Sequence, residues 1–410
     1  MAEKQNKKQT GKPESQNDKK KHIISASEQG PGQAGISQAL NQAVLLHKQH
    51  QLDEAANIYR SVLARDKNHF HALHLLGSVY AEQGNYREAV TLYKKALKQN
   101  PDAANVYYNL GIALYELKQY EEAIINYRRT LAINPVYAPA HINLGVVLNE
   151  LKQYEEASSS LRRALDIVPN SAQAHTNLGI ALNGLRKYRE AIASFRRSLE
   201  IYPKAAQTLH NLGIALNEVR QYEEAIVCFR RTLAINPNHA DSYHGQGVAL
   251  IGLKRYREAH DNYRRALEID PNNIKTYSNL ARLYECNYQV EEAIKCYARI
   301  LVLEPGNIEA EIQLANSLLN DNQVEQAETI LVNILETHAA NTKALCGLGD
   351  IKSIKGDFHG AEELYEQALA INQSETGAYF GLSNCKKYSS IDGDFIDKLK
   401  KLSSVDAMAN

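Results

Sequence analysis

The stretch ANVYYNLGIALYELKQYEEAIINYRRTLAINPVY, residues 104–137, carries its apolar and small residues in two separate helical phases. Tyr107, Leu110, Gly111 and Leu114 fall at helical spacing in the first half, and Ala123, Tyr127, Thr130 and Leu131 do so in the second. LKQY joins the halves and ends in Tyr120. NPVY closes the stretch, because Pro135 has no amide hydrogen with which to extend a helix. The segment therefore predicts a helix–turn–helix hairpin. A hairpin with one apolar face needs a neighbour on either side.

Outward from this stretch the same pattern recurs. Pro101, Pro135, Pro169, Pro203, Pro237, Pro271 and Pro305 each stand 34 residues after the last. Gly77, Gly111, Gly145, Gly179, Gly213 and Gly247 keep the same period, and Gly349 returns to it. Alanine holds it longest, from Ala55 and Ala89 through Ala123, Ala157, Ala191, Ala225, Ala259, Ala293 and Ala327 to Ala361. A fixed period of this length marks a repeat array.

Counting back from the prolines gives ten units without insertion, starting at 36, 70, 104, 138, 172, 206, 240, 274, 308 and 342. The unit at 36 is degenerate, with Ala43 for the glycine and Lys67 for the proline. The units at 308 and 342 have lost the proline (Ala339, Gln373) but keep Ala327, Ala361, Leu348 and Gly349. Gly111 and Ala123 are expected where the two helices approach most closely. Tyr120, repeated as Tyr86, Tyr154, Tyr188, Tyr222 and Tyr256, is expected as a plate between hairpins.

A 34-residue hairpin with small, aromatic and proline residues at these offsets resembles the tetratricopeptide repeat. The resemblance implies an all-α, right-handed superhelical solenoid of about ten helix–turn–helix repeats plus a C-terminal capping helix. Residues 1–35, rich in Lys, Gln, Ser and Gly and containing the run Lys19–Lys21, read as a disordered tail. The ten units occupy 36–375. Residues 376–410 read as a capping helix and tail.

Composition narrows the function. Lys plus Arg is 47 and Asp plus Glu is 47, so the folded part has no basic excess for nucleic acid. Hydrophobic residues make up 44%, enough for a core. The five cysteines are scattered without a CxxC pair, which fits a reducing compartment and suggests neither a disulfide framework nor a zinc site. No secretory apolar region and no run of 18 apolar residues occurs, so the chain reads as cytoplasmic and not inserted in a membrane.

The search for chemistry finds no Gly-rich phosphate loop, no GxSxG and no HExxH. His47, His50, His69, His71 and His74 cluster early, but no Cys or acid repeats with them, and they read as surface histidines. No catalytic residue, cofactor or metal is therefore expected. The pairs Arg128–Arg129, Arg162–Arg163, Arg196–Arg197, Arg230–Arg231 and Arg264–Arg265 follow acids such as Glu121–Glu122 and Glu223–Glu224, and read as a solvated, ion-paired outer face.

The resemblance also implies that first helices line a concave groove. Carried over, Asn109, Asn143, Asn177 and Asn211, then Asn279 after a break at Gly245, are expected to face it. They resemble the asparagine ladder of the O-GlcNAc transferase repeat domain. An Asn side chain offers donors and an acceptor to a peptide backbone, though it can also bond within its own array. Ile112, Val146, Ile180, Ile214 and Val248 form an apolar rail beside the ladder. Glu116, Glu150 and Glu218, with Asn149, Asn183 and Asn217, are expected at its edge. The places that carry Lys or Arg in chaperone-binding arrays hold Tyr108, Ile142, Thr176 and His210, which argues against a chaperone-tail adaptor.

The expected function is a scaffold binding an extended peptide or partner protein. The alternative is a truncated or split substrate-recruiting region of a glycosyltransferase or sulfotransferase, working with a separate transferase enzyme. HFHALHLLGSVYAEQGNYREAV (69–90) is similar to arrays ahead of bacterial glycosyltransferase domains. GAYFGLSNCKKYSSIDGDFIDKLKKLSS (377–404) is similar to the connector of tetratricopeptide-containing sulfotransferases. No catalytic domain is expected before Asn410.

Overall fold

The computed structural model describes residues 31–385. Its first ten helices are α1 Pro31–Lys48, α2 Leu52–Arg65, α3 Phe70–Glu82, α4 Tyr86–Gln99, α5 Ala104–Glu116, α6 Tyr120–Ile133, α7 Ala138–Glu150, α8 Tyr154–Ile167, α9 Ala172–Gly184 and α10 Tyr188–Ile201. The others are α11 Ala206–Glu218, α12 Tyr222–Ile235, α13 Ala240–Gly252, α14 Tyr256–Ile269, α15 Ile274–Cys286, α16 Val290–Leu303, α17 Ile308–Asn320, α18 Val324–Thr337, α19 Thr342–Ile354, α20 Phe358–Ile371 and α21 Thr376–Cys385. No strand occurs among the described residues.

Nine first helices, α3 to α19, begin on the predicted unit starts 70 to 342, and α21 begins at the next multiple. The first unit departs from the expectation. α1 starts at Pro31, inside the stretch read as tail, because proline suits a first helical turn whose amides lack partners anyway. The run Lys19–Lys21 and the remainder of the expected cap beyond Cys385 lie outside the described residues. None of the described helices is long and apolar enough to cross a membrane.

The chain divides into two compact units between Thr208 and Leu209. In the first, α8 shows how a second helix forms. Glu155 and Glu156 sit at its positive N-terminal end, and Ala157, Leu161 and Ala164 make one buried stripe at spacings of four and three. The glycine at the hairpin centre is a ring seat: a Cβ on Gly111 would stand 2.6 Å from Cε1 of Tyr127, which is 1% exposed. Between hairpins the tyrosine plate needs the same relief, since a Cβ on Gly184 would meet Tyr154 at 2.5 Å.

The turn inside each hairpin is built the same way. After α7, Gln153 donates its amide to Leu148 O at 2.8 Å and Lys152 donates to Asn149 O at 3.0 Å. This closure requires one left-handed residue, and Lys152 supplies it at φ 58°. His50, Lys118 and Arg186 do likewise in the first unit, and Arg220, Lys254, Tyr288 and Asn322 in the second. Elsewhere glycine takes the place, as at Gly84 with φ 82°.

On the outer helices of the first unit, Lys94 pairs with Glu122 at 3.3 Å, Arg128 with Glu156, and Arg162 with Glu190 at 2.9 Å. The arginines therefore stitch consecutive second helices. All are about half exposed, so each pair contributes little to stability.

In the second unit, the last full hairpins bury an apolar cluster of Ile312, Ala315, Leu331, Ile334 and Ala344 among others. Cys228, Cys296 and Cys346 are buried and unbridged.

Candidate functional site

In the first unit, Asn109, Asn143 and Asn177 sit on the first helices α5, α7 and α9, just before the repeat glycines Gly111, Gly145 and Gly179. Ile112, Val146 and Ile180 follow each of them by three residues, hence on the same helix face. All six are half-buried. Each of these helices thus carries an amide and an aliphatic side chain on one face.

The amides are already partly engaged. Asn109 Nδ2 lies 3.0 Å from His74 Nε2, Asn143 Nδ2 donates to Tyr108 OH at 3.2 Å, and Asn177 Nδ2 donates to Gln173 O at 2.9 Å. The first two bonds tie adjacent hairpins together. Each bond uses one of the two Nδ2 hydrogens, while the side-chain carbonyls accept no hydrogen bond among the described residues. Burial pushes the Tyr108 hydroxyl up to about 12, with the nearby Tyr137 adding to it, so it stays neutral beside Asn143.

In the second unit, Asn211 and Ile214 lie on α11, Val248 on α13 and Asn279 on α15, all half-buried. The Asn279 side chain makes no hydrogen bond among the described residues. Where the ladder breaks, Gly245 is a packing residue: a Cβ there would stand 2.5 Å from Cζ of Phe229. The apolar rail also ends in this unit. At the register of Val248, the next three hairpins carry the polar residues Arg282, Asn316 and Asp350. Asp350 accepts a hydrogen bond from Tyr365 OH at 2.7 Å, and partial burial holds its carboxyl above the usual range. An apolar period cannot reveal positions at which the repeat turns polar.

One expectation changes. Asn149 and Asn217, read as groove edge, face the neighbouring hairpin instead. Asn149 Nδ2 donates to Asn177 O at 2.9 Å, and Asn217 Nδ2 donates to Gly245 O at 3.0 Å. The Oδ1 atoms of Asn149, Asn183 and Asn217 are buried without a hydrogen-bond partner. Their 34-residue period was visible, but period alone does not say which of two helix faces a side chain takes. Glu116, Glu150 and Glu218 are exposed.

Among the described residues no group of three or more His, Cys, Asp or Glu is placed to hold a metal ion.

Family profiles described as "Tetratricopeptide repeat" match residues 35–99, 74–138, 136–204, 204–272, 262–295 and 342–375. Among solved structures, the chain is similar to YrrB, a TPR protein with an unusual peptide-binding site, at 23% identity and TM-score 0.40, over 45% of this chain and 95% of that one. A MamA structure gives 28% identity and TM-score 0.38, over 40% of this chain and 96% of that one. Yeast Tom70 gives 16% identity and TM-score 0.43, over 91% of this chain and 92% of that one. No curated protein sequence matches.

Proposed function

We propose a function from one premise: this chain belongs to the tetratricopeptide repeat family, and its first-helix faces hold a partner protein through an extended peptide segment. The observation that supports this is the stripe at Asn109, Asn143 and Asn177, where side-chain carbonyls left without a hydrogen bond stand beside Ile112, Val146 and Ile180. The stripe offers these side-chain carbonyls as acceptors. An extended peptide presents backbone N–H groups that can meet them, whatever its side chains. The half-buried aliphatic rail adds non-directional contact to apolar side chains of the same segment. In the second unit Asn279, with Ile214 and Val248 on α11 and α13 beside Asn211, continues the same pairing of amide and aliphatic residues. The exposed Glu116, Glu150 and Glu218 favour neutral or mildly basic peptides over acidic ones.

The test uses the full chain on an array of unstructured peptides of varied sequence, with Asn109, Asn143 and Asn177 all changed to Ala. The wild type should retain a set of neutral or basic peptides, and the triple variant should lose them by on the order of tenfold while keeping its helical circular dichroism. Equal retention by both chains, or retention of none by the wild type, would defeat the reading.

A further inference from the structure

Consecutive hairpins of this chain meet through one recurring pair of positions. A residue early in one first helix touches a residue 32 positions later, in the next first helix. At two such joints the pair is apolar: Ile142 with Ala174, and Ile312 with Ala344, each within one buried cluster. At the joint between α11 and α13 the same positions hold His210 and Ser242, and at the following joint His244 and Thr276. His210 is 6% exposed and Ser242 fully buried. An apolar contact has been replaced by buried, titratable polar groups.

The bonding is specific about protons. Ser242 donates its backbone N–H to His239 Nδ1 at 3.2 Å, so that nitrogen is an acceptor and carries no proton. Ser242 Oγ lies 3.0 Å from the same nitrogen and 2.9 Å from His210 Nδ1. One hydroxyl hydrogen satisfies both contacts in one way only. Ser242 donates to His239, and His210 Nδ1–H donates to Ser242. A proton added at His239 Nδ1 would confront the N–H and the hydroxyl hydrogen, and would remove the acceptor that caps α13. A second proton on His210 would place a buried cation beside His239, whose ring centroid is 4.7 Å away.

We propose that His210, His239 and Ser242 form an acid-labile coupling between the α11 and α13 hairpins, which holds them together when the imidazoles are neutral and releases them on protonation. Asn211, Ile214 and Val248 lie on the coupled helices, so their spacing follows the state of the joint.

α13 presents His239, Asp241 and His244 to His210, and α12 presents the uncharged Phe229 ring at 5.7 Å. His244 meets Thr276 and Lys275 of α15, Asp241 of its own helix and the Tyr263 ring of α14. Burial pushes the His210 imidazole down to about 4; His239 adds to this and Asp241 opposes it. Burial likewise lowers His244. The neutral forms belong to the folded joint. Its stability is complete above the ordinary histidine value of 6.5 and is lost as pH falls from there toward 4.

The experiment is hydrogen exchange on the full chain at pH 8 and pH 5, corrected for intrinsic rates. The wild type is compared with His210→Ile/Ser242→Ala, which installs the pairing found at Ile142 and Ala174. Peptides from α11 to α13 should lose on the order of tenfold more protection at pH 5 in the wild type than in the variant, with α17 to α19 as internal reference. Equal losses in the two chains would overturn the proposal. If the variant loses helicity, the wild-type His210 ring titrated by NMR decides: protonation only below pH 5 upholds the coupling, and ordinary titration near 6.5 refutes it.

Discussion

The side-chain amide of Asn149 is bonded to the main-chain carbonyl of Asn177, 28 residues on, at 2.9 Å. One asparagine expected to touch a ligand thus holds the backbone of another. Magnitudes decide what the bond is worth. A hydrogen bond of this kind contributes about 1 kcal/mol, whereas the buried Oδ1 left without a donor costs about 1–3 kcal/mol. The Asn177 carbonyl, inside α9, also keeps its helical partner.

Asn149→Leu should therefore leave stability within about 1 kcal/mol of the wild type or raise it. Asn149→Asp should lower it by about 2 kcal/mol or more, because a carboxylate would then face a carbonyl with no proton between them. Urea denaturation followed by circular dichroism measures both. A well-tolerated Asp would contradict the assigned contact.

The ring seats predict strong overpacking. A Cβ at Gly179 would stand 2.4 Å from Cε1 of Phe195, which is wholly buried. Gly179→Ala should cost about 1–3 kcal/mol. Adding Phe195→Leu should cost less than the two changes summed, since the smaller side chain yields space. Strict additivity in the double variant would argue against the contact.

The left-handed turns predict a stabilising change. Lys152 at φ 58° and Arg186 at φ 58° hold a conformation that crowds any Cβ. Lys152→Gly should raise stability by up to about 1 kcal/mol, the relief of strain exceeding the extra freedom of the unfolded glycine. A lower denaturation midpoint for this variant would count against it.

The buried tyrosines predict alkaline instability. Burial pushes the hydroxyls of Tyr93 and Tyr108 up to about 12, and raises that of Tyr127 as well. The unfolded chain ionises near 10. The folded state's preference for neutral phenol is thus fully present below pH 10, and is lost as pH rises through 10 toward 12. Absorbance at the phenolate band should show part of the 24 tyrosines titrating late, only as the helices melt. A single transition near 10 with helicity intact would disprove this.

The hairpin, its period and most of its boundaries are legible in the residues alone. Helix starts from Ala104 to Ile308 stand three residues after the periodic prolines, since proline controls local backbone geometry that needs no partner to be read. The sequence also placed the ion-paired outer face, because opposite charges recurred at fixed offsets. Only the tertiary structure decided where each asparagine points. Asn143 and Asn149 share a period and a helix, yet one bonds the preceding hairpin's Tyr108 hydroxyl and the other turns to the next hairpin's backbone. Likewise His210 and Ile142 occupy one register, and only contact with Ser242 or Ala174 makes the first a proton-sensitive joint and the second an oily one. Periodicity reports the face a residue is offered to. The neighbour's shape and polarity decide what it does there.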